Sequence, residues 1–574
     1  MKRTGAQLII DALKAEGVEI VFGFPGGVVI PVFDALFGER GLRLVLARHE
    51  QGAVHAADGY ARSTGKVGVC LVTSGPGATN TVTGLATANF DSVPLVVISG
   101  QVTRNMIGND AFQEADIVGI SRSVTKHNYL VGDRAILGRI LREAFFIARS
   151  GRPGPVLVDI PKDVLMESSS EPLPETVSIR GYNPVYRGHP LQIRKAATAL
   201  AQAHKPLFYI GGGLNISGAA EAFRALVQKV DVPTVASLMG ISVLPSDHPR
   251  FLGMIGMHGT YAANHAVQNC DLLFAIGTRF DDRATGDIAK FAPHASVVHV
   301  DIDPSSISRN VAVEIPIVGD ARLVLEDLLP QAQAPRIEEW IRQTEDWKRS
   351  HPLTEVEGKS RLSPTLVLRR IAEEFPEAII TTEVGQNQMW TALYYSFHRP
   401  RSFLTSGGLG TMGYGFPAAI GAQLGNPERR VIDIAGDGSI QMNIQELATA
   451  ITERVPVIVA ILNNGYLGMV RQWQEVFYER RYSGVCLERT GECPPDCAAP
   501  GDGCPPYTPD FVKLAQAYGA EGIRVSTPAQ VDEALRRAKA ITDRPIFLDF
   551  QIEREANVWP MVPSGAGIHE MLNA

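Results

Sequence analysis

Two strand-like runs of this sequence end in polar residues that could hold a metal ion and a phosphate. RVIDIA leads into Gly-Asp-Gly at 436–438, and VPVIVAIL leads into Asn463 and Asn464, with a segment of helical apolar spacing between them. The carboxyl ends of parallel strands in one βαβ unit share a crevice, where open α/β sheets bind ligands. The carboxylate of Asp437 and an amide oxygen suit a hard octahedral cation that also takes phosphate and water oxygens. The pattern predicts a Mg²⁺-diphosphate site, with polar caps on turns as the plainer alternative.

These pieces occur in order at fixed spacing, and together they resemble the thiamine diphosphate motif of the thiamine-dependent decarboxylases and carboligases. The resemblance implies that Mg²⁺ takes the side chains of Asp437 and Asn464 and the backbone carbonyl of Tyr466. It also implies further cofactor contacts from Gly436, Gly438 and Ser439.

Glu50 follows the strand-like run LRLVLA and precedes small residues of helical character. By itself it is most simply a charge at a helix end. The resemblance implies a catalytic role, because the family places one glutamate here to hydrogen-bond N1′ of the cofactor's aminopyrimidine and promote loss of the C2 proton. A proton shared in this way is useful in a dry pocket, where charge interactions are strong.

Two glycine-rich turns of the N-terminal part bear on ligand binding. FGFPGG ends in adjacent glycines, Gly27 among them, which allow backbone to approach a ligand closely. TSGPGATN nearly matches a dinucleotide fingerprint, but Asn80 stands where glycine or alanine is needed, which argues against NAD.

Several further segments resemble one branch of the family, the acetohydroxyacid synthases. From GNDAFQEADIVG and DIPKDV, the resemblance implies that Phe112, Gln113 and Lys162 line the approach to the cofactor. From GMVRQWQ, it implies that Trp473, beside Met469 and Val470, narrows the pocket for the second substrate. Without the resemblance, all six would pass as loop, cap or core residues.

The segments TTEVGQNQMW and LTSGGLGTMGYG extend the resemblance to the cofactor's other contacts. Met412 is implied as the wedge that holds the cofactor bent, and the carbonyls near Val384 and Gly410 are implied to meet its 4′-amino group. Gln386 and Asn387 are implied to reach the diphosphate. The branch often has histidine at 387, and asparagine can still donate one hydrogen bond there.

In the middle of the chain, glycine, arginine and aspartate at strand ends suit a nucleotide with a diphosphate and ribose hydroxyls. On the residues alone, NAD, FAD and an empty relic all stay open. The resemblance to FAD-binding acetohydroxyacid synthases favours FAD, and the RFDDR run at 279–283 is particular to them. The implied FAD residues are Arg152, Gly211, Gly212, Gly213, Met257, His258, Gly259, Arg279, Asp281, Arg283, Asp301 and Asp320.

The chain of 574 residues is too long for one core, and three strand-like runs each feed a glycine-rich turn. We therefore predict an α/β protein of three doubly wound parallel-sheet domains. They are a pyrimidine-binding domain at 1–170, a central Rossmann-like domain at 187–335 and a diphosphate-binding domain at 363–574.

The composition restricts partners and location. A net charge of −7 argues, weakly, against nucleic-acid and anionic-membrane partners. No apolar run approaches the ~18–20 residues of a membrane span. The N-terminal segment has no signal-peptide layout, so we expect a cytoplasmic protein.

The resemblance implies an acetolactate synthase catalytic subunit of branched-chain amino-acid biosynthesis. Such an enzyme decarboxylates pyruvate and condenses the remaining fragment with pyruvate or 2-ketobutyrate, using thiamine diphosphate, Mg²⁺ and a structural FAD. The family places active sites between chains, which implies a homodimer or tetramer, and a separate regulatory small subunit stays open.

Other functions remain as alternatives. Among thiamine enzymes these are a pyruvate oxidase and a glyoxylate carboligase; Glu50 argues against the carboligase, and Trp473 favours the synthase. A flavin dehydrogenase with a vestigial thiamine site and a non-catalytic paralogue are alternatives of other classes.

The family pattern breaks at a proline- and glycine-rich insertion with the spacing C-x₆-C-x₃-C-x₆-C, formed by Cys486, Cys493, Cys497 and Cys504. A zinc or iron–sulfur site, redox-active or disulfide-paired thiols, and an incidental surface loop all remain open. We expect a clip in this loop, if it forms, to order the active-site lid.

Overall fold

The computed structural model of the chain describes residues 2–488, 490–491, 493–494, 497 and 508–573. It contains three six-stranded sheets. Every strand pairing within these sheets is parallel. The prediction of three doubly wound α/β domains is confirmed, while the three domain boundaries stay predictions. Within the described residues, no helix combines the length and apolar character needed to cross a membrane.

The N-terminal sheet has the order β2-β1-β3-β4-β6-β5. Its strands are β1 (Ile20–Gly23), β2 (Arg43–Leu46), β3 (Gly68–Val72), β4 (Leu95–Gln101), β5 (His127–Leu130) and β6 (Pro155–Pro161). Its main helices are α1 (Gly5–Ala15), α2 (Ile30–Leu36), α3 (Glu50–Thr64), α4 (Val82–Asp91) and α5 (Leu137–Arg149). Continuous apolar runs such as GVCLV form buried strands because helices cover both faces of the sheet.

The central sheet has the order β9-β8-β7-β10-β11-β12, the dinucleotide-binding arrangement. Its strands are β7 (Pro206–Ile210), β8 (Thr234–Ala236), β9 (Phe251–Met254), β10 (Leu272–Ile276), β11 (Ser296–Asp301) and β12 (Ile315–Val318). Its helices include α6 (Pro190–Gln202), α7 (Gly212–Ser217), α8 (Ala220–Val230), α9 (Tyr261–Asn269) and α10 (Ala321–Leu328), and α11 (Glu338–Ser350) follows.

The C-terminal sheet repeats the N-terminal order as β14-β13-β15-β16-β18-β17. Its strands are β13 (Ile379–Thr382), β14 (Phe403–Leu404), β15 (Val431–Gly436), β16 (Ile458–Asn463), β17 (Glu521–Val525) and β18 (Ile546–Gln551). Its helices include α12 (Pro364–Glu374), α13 (Gln386–Tyr394), α14 (Gly415–Gly425), α15 (Leu447–Thr452), α16 (Gly468–Phe477), α17 (Phe511–Ala517) and α18 (Pro528–Ala540).

The outer domains join where α3 crosses α14. A side chain on Gly59 would run into the backbone of Ala418, and one on Gly421 would run into the carbonyl of Ala56. Glycine at these two positions lets the helix backbones approach more closely than any larger residue would.

The segment after 436–438 is less helical than its apolar spacing indicates. It forms 3₁₀ turns at Ile440–Met442 and Ile444–Glu446 before α15 begins. Two of its polar side chains bond elsewhere: Asn443 Nδ2 donates to the Gly413 carbonyl at 2.7 Å, and Glu446 accepts the backbone N–H of His49 at 2.9 Å. Tertiary contacts therefore limit the helix to its last six residues.

Candidate active site

The predicted magnesium ligands lie at the carboxyl ends of two adjacent strands. Asp437 follows β15 and Asn464 follows β16, and both are buried. The Asp437 carboxylate accepts the N–H of Gly465 at 2.9 Å, and Asn464 Oδ1 accepts the N–H of Tyr466 at 3.0 Å. Burial raises the pKa of Asp437 to about 7. The turn at 464–466 therefore contacts the Asp437 carboxylate. Carboxylate, amide and peptide oxygens, as found in Asp437, Asn464 and this turn, are the types of ligand that fit Mg²⁺.

The two asparagines after β16 face different neighbours. Asn463 Nδ2 donates to Asp549 Oδ1 at 2.9 Å, toward β18. Asn464 Nδ2 donates to Gln386 Oε1 at 3.3 Å, on the side of β13 and β15. Asn464 therefore faces Gln386 and Asn463 faces Asp549, and Asn464 as a metal ligand stays a prediction.

The residues predicted to reach the diphosphate gather at the switch point between β13 and β15, where ligands bind in such sheets. Gln386 and Asn387 open α13, whose free N–H groups favour an anion. Asn387 Nδ2 donates to the Ile434 carbonyl at 2.8 Å, and a side chain on Gly436 would lie 3.4 Å from Asn387 Oδ1. Gly438 and the buried Ser439 follow Asp437 directly on the same turn.

Residues 405–413 form a loop between β14 and α14, which we call the glycine loop. Gly410 and Gly413 have φ of 73° and 85°, values that glycine adopts without strain. A side chain on Gly410 would lie 4.0 Å from Val384 Cγ1, and the half-buried Met412 lies between the two glycines. The shared contact of Gly410 and Val384 with one ring stays a prediction.

Glu383 secures the end of this loop and was missed in the sequence analysis. Its carboxylate accepts the N–H of Gly413 at 2.6 Å and that of Phe416 at 3.1 Å. Burial raises the pKa of Glu383 above its ordinary value. An acid directly after a buried strand, in TTEVGQ, is the signal that could have revealed it.

Glu50 is the first residue of α3 and is 8% exposed. Asn80 Nδ2 donates to its Oε2 at 2.9 Å. The residue that breaks the dinucleotide fingerprint therefore holds the candidate catalytic acid. No local sequence signal indicates this contact, because the two residues lie 30 positions apart.

The other N-terminal candidates lie on loops at the carboxyl edge of the sheet. Gly27 and Phe112 are exposed, Phe112 at 88%, and Lys162 is half-buried at the start of a short helix. Gln113 has a φ of 60°, and its backbone lies against Gly75. Among the described residues, no hydrogen bond joins these four or Glu50 to the 464–466 turn.

A cleft of about 1320 Å³ opens at the switch point of the central sheet, between β7 and β10, and reaches the C-terminal domain. The predicted FAD residues that line it are Arg152, Gly212, Gly213, Met257, His258, Arg279, Asp281, Arg283, Asp301 and Asp320. Gly211 and Gly259 are not in the lining. A side chain on Gly211 would meet the carbonyl of Gly277, and one on Gly259 would meet Asn264, so packing requires both glycines.

The cleft suits a nucleotide in its polar groups. Buried His258 has its Nδ1 3.0 Å from the Pro560 carbonyl and its Nε2 unpartnered among the described residues. Burial lowers the pKa of His258 to about 4 and raises that of Asp301 to about 6. Arg152 donates to Ser92 Oγ at 2.8 Å and pairs with Asp303 at 3.3 Å. These groups fit FAD.

The candidate acceptor residues lie on α16 at the mouth of this cleft. Trp473, Met469 and Val470 all line it, together with Val384 and Gly410. The Arg283 guanidinium lies 5.9 Å from the ring centre of Trp473, a cation–π contact that joins the two predicted sites.

The cysteine-rich insertion begins against the turn at 464–466. Tyr466 and Cys486 form an antiparallel bridge, and the N–H of Leu467 donates to the Val485 carbonyl at 2.8 Å. Cys504 lies outside the described residues, so a four-cysteine site stays a prediction. No three His, Cys, Asp or Glu side chains assemble as a metal site in the described part of the chain. Cys70 and Cys270 are buried in hydrophobic cores.

Comparisons with known proteins agree with this domain order. Three segments match thiamine pyrophosphate enzymes: the N-terminal TPP binding domain at 3–120, the central domain at 193–328 and the C-terminal TPP binding domain at 383–550. The acetolactate synthase isozyme 3 large subunit of Escherichia coli K12 is 47% identical over 99% of this chain and 98% of its own length. The acetolactate synthase large subunit of Haemophilus influenzae is 45% identical over 100% and 98%, and the acetolactate synthase of Mycobacterium leprae is 48% identical over 99% and 90%.

Proposed function

Because this chain belongs to the thiamine pyrophosphate enzymes, among the acetolactate synthase large subunits, we propose that it joins two molecules of pyruvate into acetolactate with loss of carbon dioxide. Two sites at strand ends carry the proposal: the oxygen donors at 437–466 and the buried Glu50. They occur in a chain that matches acetolactate synthase large subunits along nearly its whole length. We propose 2-ketobutyrate as an alternative second substrate.

Asp437, Asn464 and the Tyr466 carbonyl would hold Mg²⁺, and through it the cofactor diphosphate at the start of α13. When bound, thiamine diphosphate supplies the electron sink that makes decarboxylation of a 2-keto acid possible. The protein's own part is to orient the ring through Met412, Gly410 and Val384, and to exclude water.

Glu50 would hold a proton at N1′ of the aminopyrimidine. Its burial keeps water away from that proton, and the Asn80 amide at 2.9 Å fixes the carboxylate. Positioned proton transfer of this kind contributes about 10²–10⁴ in rate.

Among the described residues no hydrogen bond joins Glu50, which is held by Asn80 of its own domain, to the 464–466 turn, and the family resemblance implies active sites between chains. We propose that a second copy of the chain supplies the acid to the site at 437–466, with Gly27, Phe112, Gln113 and Lys162 on the same edge. This makes the active unit a homodimer or a tetramer. Relatives are named as large subunits, which supports a small-subunit partner.

FAD is proposed for the central cleft as a structural group, since the reaction has no net redox change. Trp473, Met469 and Val470, at the junction of the two sites, would shape the pocket for the second keto acid. A larger acceptor then competes with pyruvate through packing against these side chains.

The test is acetolactate formation from pyruvate by purified protein, with thiamine diphosphate, Mg²⁺ and FAD omitted one at a time. We expect no product without thiamine diphosphate or Mg²⁺, and an oxidised flavin spectrum throughout turnover. Asp437→Ala should bind little cofactor. The control is Asp549→Ala, which removes a buried carboxylate from β18, on the other side of β16, and should bind cofactor as the parent does. Acetyl phosphate or hydrogen peroxide as the main product would replace the proposal with a pyruvate oxidase.

A further inference from the structure

The glycine loop of the C-terminal domain is held by the N-terminal domain. Asp91, the last residue of α4, accepts two backbone N–H groups of the loop, one on each carboxylate oxygen. Gly408 donates to Oδ1 at 2.8 Å and Gly407 donates to Oδ2 at 3.0 Å. Only a carboxylate accepts on both oxygens without turning a donor toward one of the amides.

Arg62 pairs with this buried carboxylate. It lies 3.0 Å from Asp91 Oδ2 and 2.6 Å from Asp58 Oδ1, and it donates to the Thr405 carbonyl at 2.9 Å. Tyr414, just past the loop, donates its hydroxyl to Asp58 at 2.7 Å. The network therefore binds the glycine loop at its first residue, Thr405, and just after its last residue, at Tyr414.

A second contact acts one helical turn earlier on α4. The hydroxyls of Thr87 and Thr411 lie 2.8 Å apart and are buried. Thr87 and Asp91 are four residues apart, so they project from the same face of the helix. Thr411 directly precedes Met412, and its N–H donates to Ser406 Oγ at 2.9 Å. One face of α4 thus contacts the glycine loop at two places, at Gly407–Gly408 through Asp91 and beside Met412 through Thr87.

We propose that Asp91, aided by Thr87, is a positioning residue for thiamine diphosphate: it fixes the glycine loop so that Gly410 and Met412 meet the aminopyrimidine. The inference rests on the proposed function, which assigns those two contacts. Neither α4 residue touches the reacting atoms.

The test compares cofactor affinity with fold stability. In Asp91→Asn, the amide keeps one acceptor and points a donor at the other N–H, so the loop loses its fixed turn. We expect the Kd of thiamine diphosphate, measured by tryptophan quenching with saturating Mg²⁺, to rise roughly ten- to a hundredfold. The circular-dichroism band of the bound aminopyrimidine should shift or vanish.

Thr87→Val covers the case in which Asp91→Asn does not fold. It removes two neutral hydrogen bonds at nearly constant volume, the one with Thr411 and the one that Thr87 donates to the Thr83 carbonyl at 2.9 Å within α4. It leaves the charged network intact, so Kd should rise roughly three- to tenfold. Glu453→Gln is the matched control, because Glu453 pairs with Arg43 between the same two domains at 2.6 Å and does not touch the loop. Its Kd should equal that of the parent.

A parental Kd and a parental circular-dichroism spectrum in folded Asp91→Asn, or in Thr87→Val, would overturn the inference. This holds even if the thermal midpoint falls, since α4 would then stabilise the fold without positioning the cofactor. A parent protein that binds no thiamine diphosphate would reject the proposed function itself, and the inference with it.

Discussion

Replacing Glu50 with glutamine tests the proposed proton transfer with little disturbance of the fold. Glutamine has the same shape, can begin α3, and keeps an oxygen for the Asn80 amide, which lies 2.9 Å from Glu50 Oε2. What it lacks is a carboxylate that can exchange a proton with N1′. If Glu50 is the acid–base group, exchange of the C2 proton should slow about 10²–10⁴-fold, which is about 3–5 kcal/mol in activation free energy.

The assay is hydrogen–deuterium exchange at C2 of the bound cofactor, quenched in acid and read by proton NMR, with cofactor occupancy measured in the same samples. Glu143→Gln is the control, because Glu143 is a buried carboxylate of the same domain that bonds Tyr129 and Arg139. It should exchange at the parental rate. Exchange in Glu50→Gln within about threefold of the parent, at equal occupancy, would refute the role, since positioned proton transfer supplies at least about a hundredfold.

Trp473→Leu should lower the preference for 2-ketobutyrate over pyruvate by about 10–100-fold, because one methylene gives only about 1–3 kcal/mol of discrimination; an unchanged product ratio in direct competition would leave Trp473 a packing residue. Gly421→Ala should lower the free energy of unfolding by about 1–3 kcal/mol or more, because its Cβ would meet the Ala56 carbonyl, whereas Gly132→Ala, in open space, should not. Burial raises the pKa of Asp159 to about 7, so the folded state binds this proton more tightly and stability falls as pH rises from about 4 to 7. Asp159→Asn should remove up to about 1.4 kcal/mol per pH unit of that slope in urea unfolding; an unchanged slope would contradict it.

Much of the C-terminal site was predictable because its information is local. VIDIAG is apolar except for Asp433, and IVAILN is apolar up to Asn463; these runs form β15 and β16 because buried parallel strands contact helices on both faces. A residue that directly follows such a strand must lie at the carboxyl edge of the sheet. Asp437 and Asn464 could therefore be placed together before their contacts were known.

The same reasoning failed where side chains bond to distant partners. Asn443 and Glu446 interrupt the helix expected after 436–438, because their hydrogen bonds go to Gly413 and His49. Asn80 was interpreted only as a mismatch to a dinucleotide fingerprint, yet its amide holds Glu50.

The sequence by itself determined the strands, their turns and the residues at strand ends, since these depend on apolar periodicity and on backbone freedom over a few positions. Only the tertiary structure decided which of these residues meet across domains. Arg62 lies 343 positions from Thr405, and Asp91 lies 316 positions from Gly407, yet all four join in one hydrogen-bonded network. No local pattern specifies such a pairing, because it depends on two helices, α3 and α14, crossing closely through glycines far apart in the chain.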